Sequence, residues 1–131
     1  MGMYTELFVE GGLKAAAPQE IKNVIYYLFD QARDDHMKIQ PIAWPDHPFF
    51  TLPRWASIGN CSSFYHVPLS MSTCDEQQGQ LYFVSRSDLK NYDNEIAAFL
   101  DWLRPYCQTL RGWVLYEEDE APTTFNHEDN D

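Results

Sequence analysis

"PQEIKNVIYYLF", residues 18–29, is the stretch that decides the fold. Ile21, Val24, Ile25, Leu28 and Phe29 fall at i, i+3, i+4, i+7 and i+8. That spacing stacks five apolar side chains on one face of a helix. Pro18 suits the first helical position, where its missing N–H has no partner to lose, and Glu20 suits the positive end of the dipole. The helix is expected within "AAAPQEIKNVIYYLFDQARDD", residues 15–35. Tyr26 and Tyr27 flank the stripe, so at least one should reach the surface.

A second helix follows the same rule. In "DLKNYDNEIAAFLDWLRPYC", residues 88–107, Ile96, Phe99, Leu100 and Leu103 repeat the stripe. Asn91 or Asp93 can cap it, and Pro105 marks its end. Between and around the helices the period changes to two. "MYTELFVE" alternates Leu7 and Val9 against Phe8 and Glu10, and Gly11 and Gly12 are expected to break that strand. "QLYFVSRS", residues 80–87, is a second strand. "WASIGNCSSFYHVPL", residues 55–69, reads as two short strands around Gly59-Asn60. "MSTCDEQQGQ", residues 71–80, reads as polar turn. Gly112 admits a last strand at Trp113–Tyr116.

The expected order is therefore β-α-β-β-β-α-β. Two helices with one apolar stripe each must both lie on a sheet. The expected fold is α+β: a two-layer sandwich with two helices on one face of a mainly antiparallel, four- to five-stranded sheet. A ferredoxin-like, split-βαβ variant is the preferred topology. Tyr, Thr and Ser on the other face would make its exposure tolerable. Residues 1–120 form one domain, and 121–131 an acidic C-terminal tail.

Composition narrows the partners. The chain has 131 residues, long enough to bury a core without staples, and its aromatic share of 15% argues for a folded protein. Its net charge is −11, from 20 acids and 9 bases. That balance disfavours direct contact with nucleic-acid phosphates or an anionic membrane surface, and favours a basic protein partner. No basic, apolar leader opens the chain, no stretch is apolar enough to span a bilayer, and Cys61, Cys74 and Cys107 are odd in number. A soluble protein with free thiols in a reducing cytoplasm is expected.

The middle of the chain is of a different material. "IQPIAWPDHPFFTLPRW", residues 39–55, carries Pro41, Pro45, Pro48 and Pro53, which forbid a regular helix. Trp44, Phe49, Phe50 and Trp55 would pin it as an ordered loop, either covering one end of the core or lining a pocket. Asp46 and His47 within it are a candidate acid/base pair. No nucleophile or oxyanion motif accompanies them, and a turn in which Asp46 bonds its own backbone and His47 decorates the surface is the preferred reading.

Metal chemistry is not expected. Cys61, His66 and Cys74 match no compact ligand spacing and lack a fourth ligand. The Gly11–Gly12 pair has neither the dinucleotide fingerprint nor a phosphate-binding Lys. No cofactor is implied. Asp30, Asp34 and Asp35 sit at the negative end of the first helix, where a carboxylate is electrostatically misplaced. A solvated face accounts for them most simply, and a role in recognition would explain the misplacement of Asp34 and Asp35.

The C-terminus poses the sharper question. In "RGWVLYEEDEAPTTFNHEDND", residues 111–131, no Lys or Arg follows Arg111. Glu117, Glu118, Asp119 and Glu120 come directly after a strand. Like charges at this density repel, so the fold gains nothing obvious from them. They either solubilise a terminus or form a carboxylate array for a Lys/Arg groove, in the place of nucleic-acid phosphates. Tyr116 and Phe125 bracket the acids as candidate apolar anchors.

"MYTELFVEGGL", "SDLKNYDNEIAAFLDWLRPY" and "GWVLYEEDEAPTTF" together resemble a family of small uncharacterised proteins encoded by phages and prophages. The similarity touches both ends and the second helix. It implies a phage protein acting in a bacterial cytoplasm, and it carries over no catalytic residues. By analogy, small acidic phage proteins act on host machinery as anti-CRISPR inhibitors or DNA mimics.

The expected function is that of a non-enzymatic acidic binding protein: a phage-encoded inhibitor docking on a basic surface of a host nucleic-acid-handling protein or nucleoprotein complex. Its partner-binding residues are expected to be Glu117, Glu118, Asp119, Glu120, Tyr116 and Phe125, with Asp34 and Asp35 as a second patch. It would be a monomer or a homodimer. Two alternatives belong to other classes. One is a small enzyme using the Pro/aromatic loop as a pocket, with Asp46 and His47 as acid and base. The other is a phage structural or assembly protein that self-associates through its open sheet face.

Overall fold

The two apolar stripes find a common surface. A computed structural model of the protein describes residues 3–30, 43–62 and 71–129. In chain order the elements are β1 (Thr5–Leu13), α1 (Gln19–Phe29), β2 (Met71–Gln77), β3 (Gln80–Leu89), α2 (Glu95–Leu103), β4 (Cys107–Tyr116) and β5 (Thr123–Glu128). The strands form one antiparallel sheet in the order β2-β3-β1-β4-β5. The fold is α+β, with five strands and two α-helices among the described residues. Ile21, Val24, Ile25, Leu28 and Phe29 of α1 are all buried, as are Ile96, Phe99, Leu100 and Leu103 of α2. They share one core with Leu7 and Val9 of β1, Leu81 and Phe83 of β3, and Leu110 of β4. Phe29 links the layers, with ring centroids 5.6 Å from Phe83 and 5.9 Å from Phe99. Full burial of such a side chain stabilises by about 1.5–3 kcal/mol.

The observed order is β-α-β-β-α-β-β rather than the expected β-α-β-β-β-α-β. Three differences account for it. First, Trp55–Ser57 is a short 3-10 turn, not a strand. It runs into a buried turn where Gly59, at φ +86°, lies against the Phe29 ring and donates its N–H to Ser87 Oγ at 3.1 Å. The rest of that predicted hairpin, residues 63–70, falls outside the described residues. Second, the polar run Met71–Gln77 is the edge strand β2. Its buried residue is Ser72, whose hydroxyl meets Ser85 Oγ at 2.6 Å and also the Gly59 carbonyl. A polar pair supplies what an apolar alternation would have announced. Third, residues 123–128 of the stretch read as a tail pair with β4 as β5.

Gly11 and Gly12 do not end β1, which continues to Leu13. A Cβ at Gly11 would overlap the Thr109 carbonyl of β4, and the Tyr82 ring lies over Gly12. The glycines permit close packing inside the strand, and the β1–β4 register shifts only after Gly12.

The aromatic loop packs on α2. Phe49 is fully buried, 5.5 Å from Phe99 and 5.9 Å from Trp102 between ring centroids. Trp44 meets Trp55 edge-on at 4.5 Å and Tyr27 at 5.1 Å. The buried Glu95 carboxylate ties the loop to the helix start. It accepts the Arg54 N–H at 3.2 Å and the Asp93 N–H at 3.1 Å. Asn91 Oδ1 accepts the Ile96 N–H at 2.9 Å, one of the orphan donors of the first turn.

Candidate protein-binding surface

The carboxylates after β4 are held by backbone bonds. The chain turns after Tyr116, where the Asp119 N–H donates to the Tyr116 carbonyl at 2.8 Å and Asp119 Oδ2 accepts the Tyr116 N–H at 3.2 Å. Glu117 continues the pairing with the start of the chain. Its N–H donates to the Tyr4 carbonyl at 3.1 Å, and its Oε2 accepts the Tyr4 N–H at 3.0 Å. Glu117 and Asp119 therefore build the turn, while Glu118 and Glu120 are exposed and enter no ion pair among the described residues. A carboxylate accepting a backbone N–H forms a charge-assisted bond, and two of them keep the turn in one shape.

The walls beside the turn are aromatic. Tyr116, Tyr92, Met3, Thr5, Asp119 and Thr123 help to line an open depression of about 330 Å³. Tyr92 is exposed, and its hydroxyl accepts the Met3 N–H at 2.9 Å. The Tyr116 phenol is pushed above its usual range, first by partial desolvation and then by Glu118, Glu117, Tyr92 and Asp119. The negative field of the turn thus falls on a ring at its edge. Two cations flank this end: Arg54 lies 5.1 Å from the Tyr92 ring centroid and 3.6 Å from Asp93, and Lys90 lies 5.8 Å from the Tyr4 ring centroid.

Other predicted site residues are dispersed. Phe125 is half-buried and turned toward the core, its ring against Gly112 rather than beside the acids. Asp34 and Asp35 lie outside the described residues. Asp46 is exposed, and His47 is engaged elsewhere. Its Nδ1 accepts the Phe49 N–H at 3.1 Å and its Nε2 meets Asp101 Oδ2 of α2 at 3.2 Å. Acceptance at Nδ1 places the neutral ring's proton on Nε2, so Nδ1 braces the loop on itself and Nε2 ties it to α2.

Of the three residues weighed for zinc, Cys61 and Cys74 are half-buried and His66 is outside the described residues. Among the described residues no group of three His, Cys, Asp or Glu side chains is placed to hold a metal ion. Burial pushes the Cys107 thiol up to about 12, against a small lowering by Lys14. Burial and the nearby Asp88 also raise Cys61. Both thiols are thereby held back from the thiolate form that a nucleophile needs.

The face of the sheet opposite α1 and α2 holds a feature that the sequence alone did not reveal. Phe8 and Trp113 stack across β1 and β4 with centroids 4.4 Å apart. Beside them Glu6 is 2% exposed, accepting from the Trp113 indole N–H at 2.6 Å and from Arg86 at 3.2 Å. The signal was present, since Glu6, Phe8 and Glu10 alternate with Leu7 and Val9. What lay hidden was the cross-strand partner of each.

No family model, curated protein or solved structure matches the chain. Among the described residues no helix is long and apolar enough to cross a membrane.

Proposed function

We propose that this protein is a non-enzymatic acidic binder, a phage-encoded inhibitor that docks on a basic surface of a host nucleic-acid-handling protein in the bacterial cytoplasm. One observation carries the proposal. Glu118 and Glu120 project from a turn whose geometry is fixed by Glu117 and Asp119. A turn fixed in this way presents carboxylates to Lys and Arg with no backbone ordering cost, leaving only that of the two side chains. Tyr92 and Tyr116 supply aromatic surface beside them, suited to the aliphatic stems of the same cations. The commitment of His47 to Asp101 and to Phe49 weighs against acid/base work in the loop.

The strand order β2-β3-β1-β4, with helices following β1 and β3, supports reading the fold as the split-βαβ, ferredoxin-like plan extended by β5.

The test is affinity capture from bacterial lysate at low salt, with duplex DNA as eluent. A set of proteins released by DNA from the wild-type chain, and absent with Glu118→Gln/Glu120→Gln, is expected. Capture that resists both DNA and the double substitution would contradict the proposal.

A further inference from the structure

A second contact lies on the face of the sheet opposite α1 and α2, at the other end of β1. There the Tyr82 ring of β3 lies over Gly12 of β1. Glu10, Thr73, Asp75, Tyr82, Val84 and Arg111 border an open groove of about 330 Å³ beside it. Residues directly opposite on neighbouring strands share a face, so Asp75 stands beside Tyr82 and Thr73 beside Val84. The groove is also where the sheet shows its apolar surface. Tyr82 is 45% exposed, Val84 36%, and Met71, one rung along on β2, 68%. One exposed apolar side chain is ordinary, whereas three adjoining ones on one face mark a contact surface.

Charge decides what the surface fits. Arg111 is already matched, its Nε donating to Glu10 at 2.7 Å. Asp75 has a neutral neighbour, the Gln77 amide at 3.3 Å. The bordering charges, Asp75, Glu10 and Arg111, therefore leave an excess of one negative, on a chain whose total is −11. A second copy would bring like charge to like charge. An anionic ligand would meet Asp75.

We infer that this groove takes a lysine or arginine side chain of the protein partner, with its stem along Val84 and Tyr82 and its charge at Asp75. The inference rests on the proposed role as a binder of a basic protein. A cation held over the Tyr82 ring adds the quadrupole attraction, and the aliphatic stem covers the exposed apolar area. Gly12 pairs with Tyr82 and Thr5 with Tyr116, so the groove and the strand end that leads into the acidic turn are seven residues apart along β1. Thr5 is buried in phase with Leu7 and Val9, while Tyr82 stands exposed on the opposite face, so the groove is a contact separate from the turn.

The probe is an acetylated, amidated hexapeptide alternating lysine and valine, titrated into the isotope-labelled full chain and followed by amide chemical shifts. Shifts at Gly12, Thr73, Asp75, Tyr82 and Val84 are expected. Asp75→Asn or Tyr82→Ser should each weaken them by roughly three- to fivefold in apparent Kd, the scale of one exposed ion pair or cation–π contact. Asp75→Asn changes no volume and guards against a folding defect in the tyrosine variant. The inference is overturned if the groove amides do not move, if Asp75→Asn leaves their titration unchanged, or if a glutamate–valine hexapeptide moves them equally. Shifts at Glu118 and Glu120 in the same spectra report on the turn separately. Their loss in Glu118→Gln/Glu120→Gln, with the groove unaffected, shows that the two sites succeed or fail independently.

Discussion

The Glu6 carboxylate of β1 accepts the Trp113 indole N–H of β4 at 2.6 Å while holding Arg86 of β3 at 3.2 Å. One buried side chain thus joins the three central strands on the face opposite α1 and α2. Removing the acceptor strands an indole N–H and loosens a guanidinium, so Glu6→Ala should destabilise the fold by about 2–3 kcal/mol. Chemical denaturation checks this, and a loss below about 0.5 kcal/mol would show the carboxylate to be incidental.

The aromatic loop is expected to be structural through Phe49. It fills the space between Phe99 and Trp102, and Phe49→Ala should cost about 3–5 kcal/mol by leaving a cavity there. The companion change Asp46→Ala, at an exposed position, should be within about 0.5 kcal/mol of wild type. Equal thermal midpoints for the two variants would refute the assignment.

Glu95 is expected to act as a clasp between loop and helix. Glu95→Ala leaves the Arg54 and Asp93 N–H groups without their acceptor, at a cost of about 1–3 kcal/mol. Hydrogen exchange should speed up at those two amides before it does at Ile96, which keeps its bond to Asn91. Uniform acceleration along α2 would point to general unfolding instead.

Alkaline pH should weaken the fold through Cys107. Its folded thiol is held up to about 12 against an ordinary 9.0, so the folded state keeps its proton longer than the unfolded chain does. The contribution is complete below pH 9 and is lost as pH rises from 9 toward 12, by up to about 1.4 kcal/mol per unit. Cys61, Tyr26 and Tyr116 shift in the same direction and add to the fall. Cys107→Ala should flatten the decline in unfolding midpoint across that window, and an unchanged slope would remove Cys107 as its source.

The helices were legible because each stripe is a local pattern, five residues in α1 and four in α2, that needs no knowledge of the partner surface. The alternation of β1 was legible for the same reason. β2 was not, because its inward positions carry Ser72 and Cys74, and the satisfaction of Ser72 by Ser85 is a tertiary fact. β5 was hidden by composition: Thr123, Phe125 and His127 alternate, but the acids around them read as solvent-facing tail. At the candidate site, the run Glu117–Glu120 was visible as charge. Its division into two residues that build the turn and two that project from it depends on Tyr4, more than a hundred residues away in sequence. Phe125 lies on the side of β5 that meets the core, and periodicity alone does not say which face of an edge strand does so.

The most direct measurement is the salt dependence of partner affinity, wild type against Glu118→Gln/Glu120→Gln, from low to high ionic strength. Exposed charges lose their reach as the screening length falls from about 10 Å at 0.1 M to 3 Å at 1 M. The wild-type Kd should rise at least about tenfold over that range, and the double variant should start weaker and show a flatter curve. Identical curves for the two proteins, or a wild-type affinity that does not change with salt, would contradict a docking role for the turn.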